Sequence, residues 1–138
     1  MYLLDTDILI YMIRGKYGIQ ERIYQTGLSN CAISEISLAE LYVGVYKNGN
    51  EKSRAIVEYL KDTFTVIPVS TALETFGKLR ANLDCQGLRL DKNDLFIAST
   101  ALANGYTLIT HNNRHFSRIP DLKLEDWVPS SGQEQPAC

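Results

Sequence analysis

The chain has 138 residues, 45% hydrophobic and 22% charged, with a net charge of −2 at pH 7, the size and balance of one globular domain around one core. No apolar run approaches the ~20 residues of a membrane helix, and Met1-Tyr2-Leu3-Leu4 meets Asp5 without the basic leader of a secretory signal. Three widely spaced cysteines, Cys31, Cys85 and Cys138, make neither a disulfide framework nor a zinc pattern, and the acidic balance excludes a protein that coats nucleic acid by bulk charge.

In chain order, Tyr2-Leu3-Leu4 reads as a short strand, Thr6 to Arg14 as a helix ending near Gly15, and Gly18 to Thr26 as a second helix ending at Gly27. Cys31-Ala32-Ile33 is a strand, with Cys31 a small core residue in a reducing cytosol. Glu35 to Tyr46 is a helix broken by Lys47-Asn48-Gly49-Asn50, and Glu51 to Asp62 is another, with Ile56, Val57 and Leu60 on one face. Thr65-Val66-Ile67-Pro68-Val69 is a β-branched strand. Thr71 to Asp84 and Asn93 to Asn104 are helical, the latter stopped by Gly105. Thr107 to Thr110 is a strand and Leu122 to Trp127 contains a last short one. Residues 1–128 form the expected domain. Pro129 to Cys138, rich in Pro, Ser, Gly and Gln, is expected to be a disordered tail.

Strands alternating with helices predict a parallel α/β sheet covered on both faces. Ligands in such sheets collect beyond the carboxyl ends of the strands, so the residues just after each strand carry most of the functional information. Asp5 follows the first strand, with Asp7 two residues on. Asp5 also fits a plain helix cap. Glu40 lies on a helix that is apolar nearly all round, which predicts a largely buried helix. A lone buried carboxylate there needs a cation or a donor. Asp94 opens a second apolar helix, where Asp91, Asn93 and Asp94 cannot all be the cap. Thr110, His111 and Asn112 follow the next strand, either as a polar turn or as oxygen donors for a bound water or phosphate. Oxygen-only ligands suit Mg²⁺, with Mn²⁺ as a substitute, rather than zinc. A divalent ion relieves the repulsion among crowded acids. It can also activate water and stabilise charge on a phosphate in an in-line displacement.

Five segments resemble the motifs of PIN-domain proteins, in order and with suitable spacing. They are Leu3-Leu4-Asp5-Thr6-Asp7, Ser34 to Gly44 with its Glu40-Leu41 pair, Asp94-Leu95-Phe96-Ile97-Ala98, Leu108 to Phe116, and Leu122 to Trp127. The nearest subgroup is the VapC-type toxins of toxin–antitoxin pairs. The resemblance implies a three-layer α/β/α fold with a parallel sheet of order 3-2-1-4-5. It implies a Mg²⁺-dependent endoribonuclease acting on a tRNA, an rRNA or another structured RNA. It places ligand or catalytic roles on Asp5, Glu40 and Asp94, with a catalytic position at Asn112 and supporting positions at Thr6, Asp7 and Thr110. Two residues depart from the family pattern. Asp7 stands where Asn is usual, and Asn112 where many PIN nucleases have a fourth Asp, which favours one well-held metal over two.

Arg89, Lys92, Arg114 and Arg118 flank the motifs and could offer positive charge to an RNA backbone, or simply be solvated surface. The resemblance also implies a homodimer and a cognate VapB-type antitoxin, in a heterotetramer or larger assembly. The expected antitoxin face is the first two helices, with Ile8, Ile10, Tyr11, Met12, Ile13, Ile19, Ile23 and Tyr24, although core packing explains most of those residues equally well. A PIN-like binding module without strong catalysis is the main alternative, and the three intact acids argue against it. A phosphatase-type nucleophile segment fits poorly, because Asp5-Thr6-Asp7-Ile8-Leu9 departs from that pattern at Leu9.

Overall fold

The short apolar runs pair into one sheet. In the computed structural model, which describes residues 1–130, strands β1 (Tyr2–Leu4), β2 (Cys31–Ser34), β3 (Thr65–Ile67), β4 (Thr107–Ile109) and β5 (Leu124–Glu125) are all parallel, in the order β3-β2-β1-β4-β5. The helices are α1 (Thr6–Ile13), α2 (Ile19–Thr26), α3 (Glu35–Asn48), α4 (Glu51–Thr63), α5 (Leu73–Cys85), α6 (Lys92–Asn104) and α7 (Asn113–Phe116). The expected three-layer architecture and strand order are those observed.

The period-two alternation of strands divides the core. Leu3 lies in register with Ala32 and Leu108, while Leu4 lies in register with Ile33 and Ile109. The first row packs with Leu83 of α5, Leu95, Ile97, Ala98 and Ala101 of α6, and Phe116. The second packs with residues of α1 to α4, including Ile8, Leu9, Ile19, Ile23, Leu38 and Leu60. Every one of these is buried. Because both faces are covered, the central strands read as continuous apolar runs. Cys31 is buried, as expected of a small core residue. No helix among the described residues is long and apolar enough to cross a membrane.

Several boundaries differ for local reasons. Helix α3 continues to Asn48 and stops only at Gly49, whose φ of 60° is the left-handed cap that glycine adopts without a Cβ clash. Strand β3 ends at Ile67 because Pro68 has no N–H to continue the ladder. A tight turn over Val69–Ala72 follows, so α5 begins at Leu73 rather than Thr71. Strand β4 stops at Ile109, just short of Thr110, and β5 is only two residues long. The sequence showed no signal for the short α7. Most of the tail expected over 129–138 lies outside the described residues.

One expectation fails. Helix α3 is not largely buried: its buried residues are Ser37, Leu38 and Val45, whereas Val43 and Tyr46 are 53% and 66% exposed. One face meets the sheet and the neighbouring helices, and nothing in the described chain covers the other. Helix α6, in contrast, is buried from Leu95 through Ala101 except at Phe96. Its buried Ser99 and Thr100 satisfy their hydroxyls on the carbonyls of Leu95 and Phe96, at 2.6 and 2.7 Å. Replacing Leu95 by Ala should leave a cavity at the heart of that layer and lower unfolding stability by about 2–5 kcal/mol. Urea denaturation measures this, and a loss below about 1 kcal/mol would contradict the packing described.

Candidate active site

Strand order reverses at the centre of the sheet, where β1 connects towards β2 on one side and β4 lies on the other. A crevice opens at such a switch point. Asp5 leaves β1 there, its own N–H bonded to the Ile109 carbonyl at 2.9 Å. It serves as the N-cap of α1, with Oδ1 accepting from the Thr6 N–H at 2.8 Å. Its other oxygen, Oδ2, accepts from the Thr110 hydroxyl, also at 2.8 Å. The capping reading of Asp5 is therefore correct for one oxygen, while the other is held by the end of the neighbouring strand. Thr110 is fully buried, and its Oγ accepts in turn from the Asn112 N–H at 3.0 Å.

Asp5 is 3% exposed. Burial, the charge of Asp7 and, less strongly, that of Asp94 push its carboxyl up to about 7, against the opposing hydrogen bonds from Thr110 and Thr6. Asp7 is raised by burial as well, and two backbone donors resist the shift. Those donors are the Ile8 N–H on Oδ1 at 2.8 Å and the His111 N–H on Oδ2 at 3.0 Å. Asp7 thus clamps the loop after β4 to the first turn of α1. Asp94 sits in the first turn of α6 and is freed from capping by Asp91, whose Oδ2 accepts from the Asn93 and Asp94 N–H groups at 3.1 and 3.5 Å. Burial raises the Asp94 carboxyl, helped by the charges of Asp91, Glu40 and Asp7 and opposed by His115. Four carboxylates, Asp5, Asp7, Glu40 and Asp94, therefore share one region, as their mutual influence requires.

Glu40 is half-buried rather than sealed in an apolar helix. The donor that its environment demands is Thr6, whose hydroxyl lies 2.9 Å from Glu40 Oε1 and 2.9 Å from Ser37 Oγ. A hydroxyl has one proton, so Thr6 donates to the carboxylate and accepts from Ser37. Ser37 is fully buried and was not singled out in the sequence. Its signal was the spacing, because three residues before Glu40 on a helix is the same face. Asn112 is exposed at the start of α7, and its side chain makes no cap hydrogen bond there.

The basic candidates are all exposed. Arg118 and Arg89 are brought together, with Arg118 Nη1 donating to the Arg89 carbonyl at 3.1 Å. Lys92 is the first residue of α6, two before Asp94, and Arg114 lies on α7. None of the four carboxylates forms a salt bridge among the described residues. Neither do three His, Cys, Asp or Glu side chains among those residues converge tightly enough to enclose a metal ion unaided. The donor set is all oxygen, and no lysine or arginine among the described residues forms a salt bridge with it. It fits a hard divalent ion that keeps part of its water shell, as Mg²⁺ does, better than one wrapped wholly by protein.

The chain belongs to the PIN domain family, whose pattern it matches over residues 2–122. It is similar to Ribonuclease VapC2 of Rickettsia felis, at 37% identity over 133 residues, covering 92% of this chain and 98% of that protein. It is similar to the tRNA(fMet)-specific endonuclease VapC of Salmonella typhimurium, at 35% identity, covering 91% and 97%. Among solved structures it resembles a chain of the DNA-bound VapBC complex of Salmonella typhimurium, with a TM-score of 0.85, 34% identity and coverage of 91% and 97%. The promoter-DNA-bound VapBC2 complex of Rickettsia felis gives a TM-score of 0.82 at 34% identity, covering 91% and 98%.

The raised carboxyls make stability depend on pH with a definite sign. Folded Asp5 holds its proton up to about pH 7, whereas the unfolded chain releases it near the ordinary carboxyl value of 3.8. The folded state binds more protons between those values, so metal-free stability should fall as pH rises from 4 to 7, with Asp5 contributing about 1.4 kcal/mol per unit at most. Thermal unfolding across that window measures the slope. Millimolar Mg²⁺ should restore the loss at pH 7, and a flat metal-free profile would argue against the burial described for Asp5.

Proposed function

We propose that this protein is the toxin of a type II toxin–antitoxin pair, an endoribonuclease that hydrolyses RNA phosphodiester bonds with the help of Mg²⁺. The observation that carries the chemistry is Asp5, a buried carboxylate at the switch point of the sheet, close to other acids and in no salt bridge among the described residues. The names of the relatives support the ribonuclease assignment, and the one named for tRNA(fMet) supports a structured RNA such as a tRNA as substrate.

In this reading Asp5, Glu40 and Asp94 hold the ion, in part through water, and Mn²⁺ can replace it. Once bound, the ion supplies charge neutralisation for the phosphate and makes a water a better nucleophile. The chain's own residues arrange the rest. Thr110 fixes one oxygen of Asp5, and the Thr6 N–H fixes the other. Ser37 and Thr6 together set the direction of the Glu40 carboxylate. Asp7 and Thr110 hold the backbone of the loop that carries Asn112, so that its amide can meet the scissile group or the attacking water. Arg89, Lys92, Arg114 and Arg118 give exposed positive charge for the strand on either side.

A VapB-type antitoxin completes the reading, supported by the VapBC complexes that this chain resembles. Of the residues expected on its docking face, Ile8, Ile19 and Ile23 are core, because they pack onto the sheet. Several of their neighbours are half-buried or exposed, among them Met12, Ile13, Tyr24, Ile56 and Tyr59. Met12, Ile13, Tyr24, Ile56, Tyr59 and Phe64 line a groove of about 200 Å³ between the first two helices and α4, which suits an apolar segment of the antitoxin. Replacing Tyr59, 55% exposed there, by Asp should free the toxin from its antitoxin in co-expression while leaving RNA cleavage intact. Unchanged neutralisation would place the antitoxin elsewhere.

Cleavage of bulk tRNA should require Mg²⁺ or Mn²⁺ and stop with EDTA. Asp94→Asn should lower the rate by at least about a hundredfold, since removing one group that stabilises a transition state commonly has that effect. Expression should arrest growth, and Glu40→Gln should relieve the arrest. Equal cleavage by the Asp94→Asn protein would remove that residue from the active site.

A further inference from the structure

The turn between α1 and α2 reads Arg14-Gly15-Lys16-Tyr17-Gly18 and is exposed from Arg14 to Tyr17. Tyr17 stands in the left-handed region, with φ 60°, between glycines at 65° and 67°. Glycine adopts that conformation freely, whereas a bulky aromatic residue is strained in it. Strain of this kind is usually retained where a side chain is needed in one place. The ring of Tyr17 is 46% exposed and meets Tyr11 edge-to-face at 4.9 Å. Tyr11 in turn meets the imidazole of His111 edge-to-face at 6.1 Å, and the His111 N–H is bonded to Asp7. The imidazole of His111 is itself bonded to Asp126, at 2.9 Å, so a row of aromatic rings runs along the surface from the residue whose backbone meets Asp7 out to Tyr17. Neither Arg14 nor Lys16, beside its outer end, forms a salt bridge among the described residues.

We propose that Tyr17, backed by Tyr11 and flanked by Arg14 and Lys16, is a stacking platform for a nucleobase of the RNA strand next to the scissile phosphate. Aromatic faces interleaved with cations are what single-stranded nucleic acid binds: the ring takes the base and the cations take the phosphates. Stacking of this sort is tolerant of sequence, so the platform anchors the strand and leaves target choice to other contacts. The inference rests on the ribonuclease reading above.

The test uses bulk tRNA, with binding measured in the Asp94→Asn protein and cleavage in the otherwise native chain. Tyr17→Asn removes the ring but tolerates the left-handed backbone, and Tyr17→Gly is a second ring-free variant with no strain. Both should weaken tRNA binding and raise KM about 5- to 100-fold with kcat little changed, the range expected for one lost base stack. Tyr17→Phe should behave as native. Arg14→Ala and Lys16→Ala should flatten the salt dependence of binding. Native KM in both ring-free variants would overturn the platform alone. Loss of antitoxin neutralisation with unchanged KM would assign the turn to a protein partner and overturn it too. Failure of the native protein to cut any RNA would instead overturn the ribonuclease reading itself.

Discussion

A carboxylate buried at the middle of a parallel sheet is the constraint around which this molecule is arranged. Asp5 stands where β1 ends and the strand order reverses, and the end of β4 reaches it through the Ile109 carbonyl and Thr110. Its two oxygens are taken by α1 and by Thr110 at the end of β4, which ties the first helix and the fourth strand to one side chain. An ionised carboxylate so poor in contact with water is unfavourable unless something positive arrives, and no salt bridge among the described residues supplies it. The other three acids add to the repulsion. An unrelieved cluster of like charges is a reservoir of destabilisation, of the sort that proteins keep at working sites.

The polar contacts around that cluster form two separate chains with different consequences. Ser37, Thr6 and Glu40 make one chain, running from the buried face of α3 to the edge of the site. Asp5, Thr110 and the Asn112 N–H make the other, with Asp7 holding the same loop through His111. Asp at position 7 carries a charge that Asn would lack. It also provides two acceptor oxygens, and both are used by backbone N–H groups. The extra acid is therefore structurally employed, and its electrostatic effect on Asp5 accompanies that role.

Helix α1 and the turn that follows serve three surroundings at once. Ile8 and Leu9 enter the core, Met12 and Ile13 face the groove shared with α4, and the turn presents Tyr17 to solvent. The proposed catalytic geometry, antitoxin docking and RNA stacking thus meet on one short segment. An occupant of the groove would sit close to the strand's path, which offers a physical route by which a partner could obstruct substrate without touching Asp5.

The amino-acid sequence by itself determined the architecture and most of the proposed site. Strand–helix alternation and apolar runs are local signals, and they sufficed for a parallel sheet covered on both faces. Asp5 and Thr110 were legible because residues immediately after strands in such a sheet must lie at its carboxyl edge, and Asp94 because it opens an apolar helix that Asp91 already caps. Burial was not legible in the same way. Helix α3 is apolar on most of its surface yet half open, since the number of neighbours a helix acquires is set by the layers around it and not by its own composition. Ser37 was missed because a serine on a helix has many innocuous roles until the opposing Thr6 is in place. The strain at Tyr17 and its ring contact with Tyr11 depend on how the turn is closed between two packed helices. That closure is a long-range result, and only the tertiary structure could decide it.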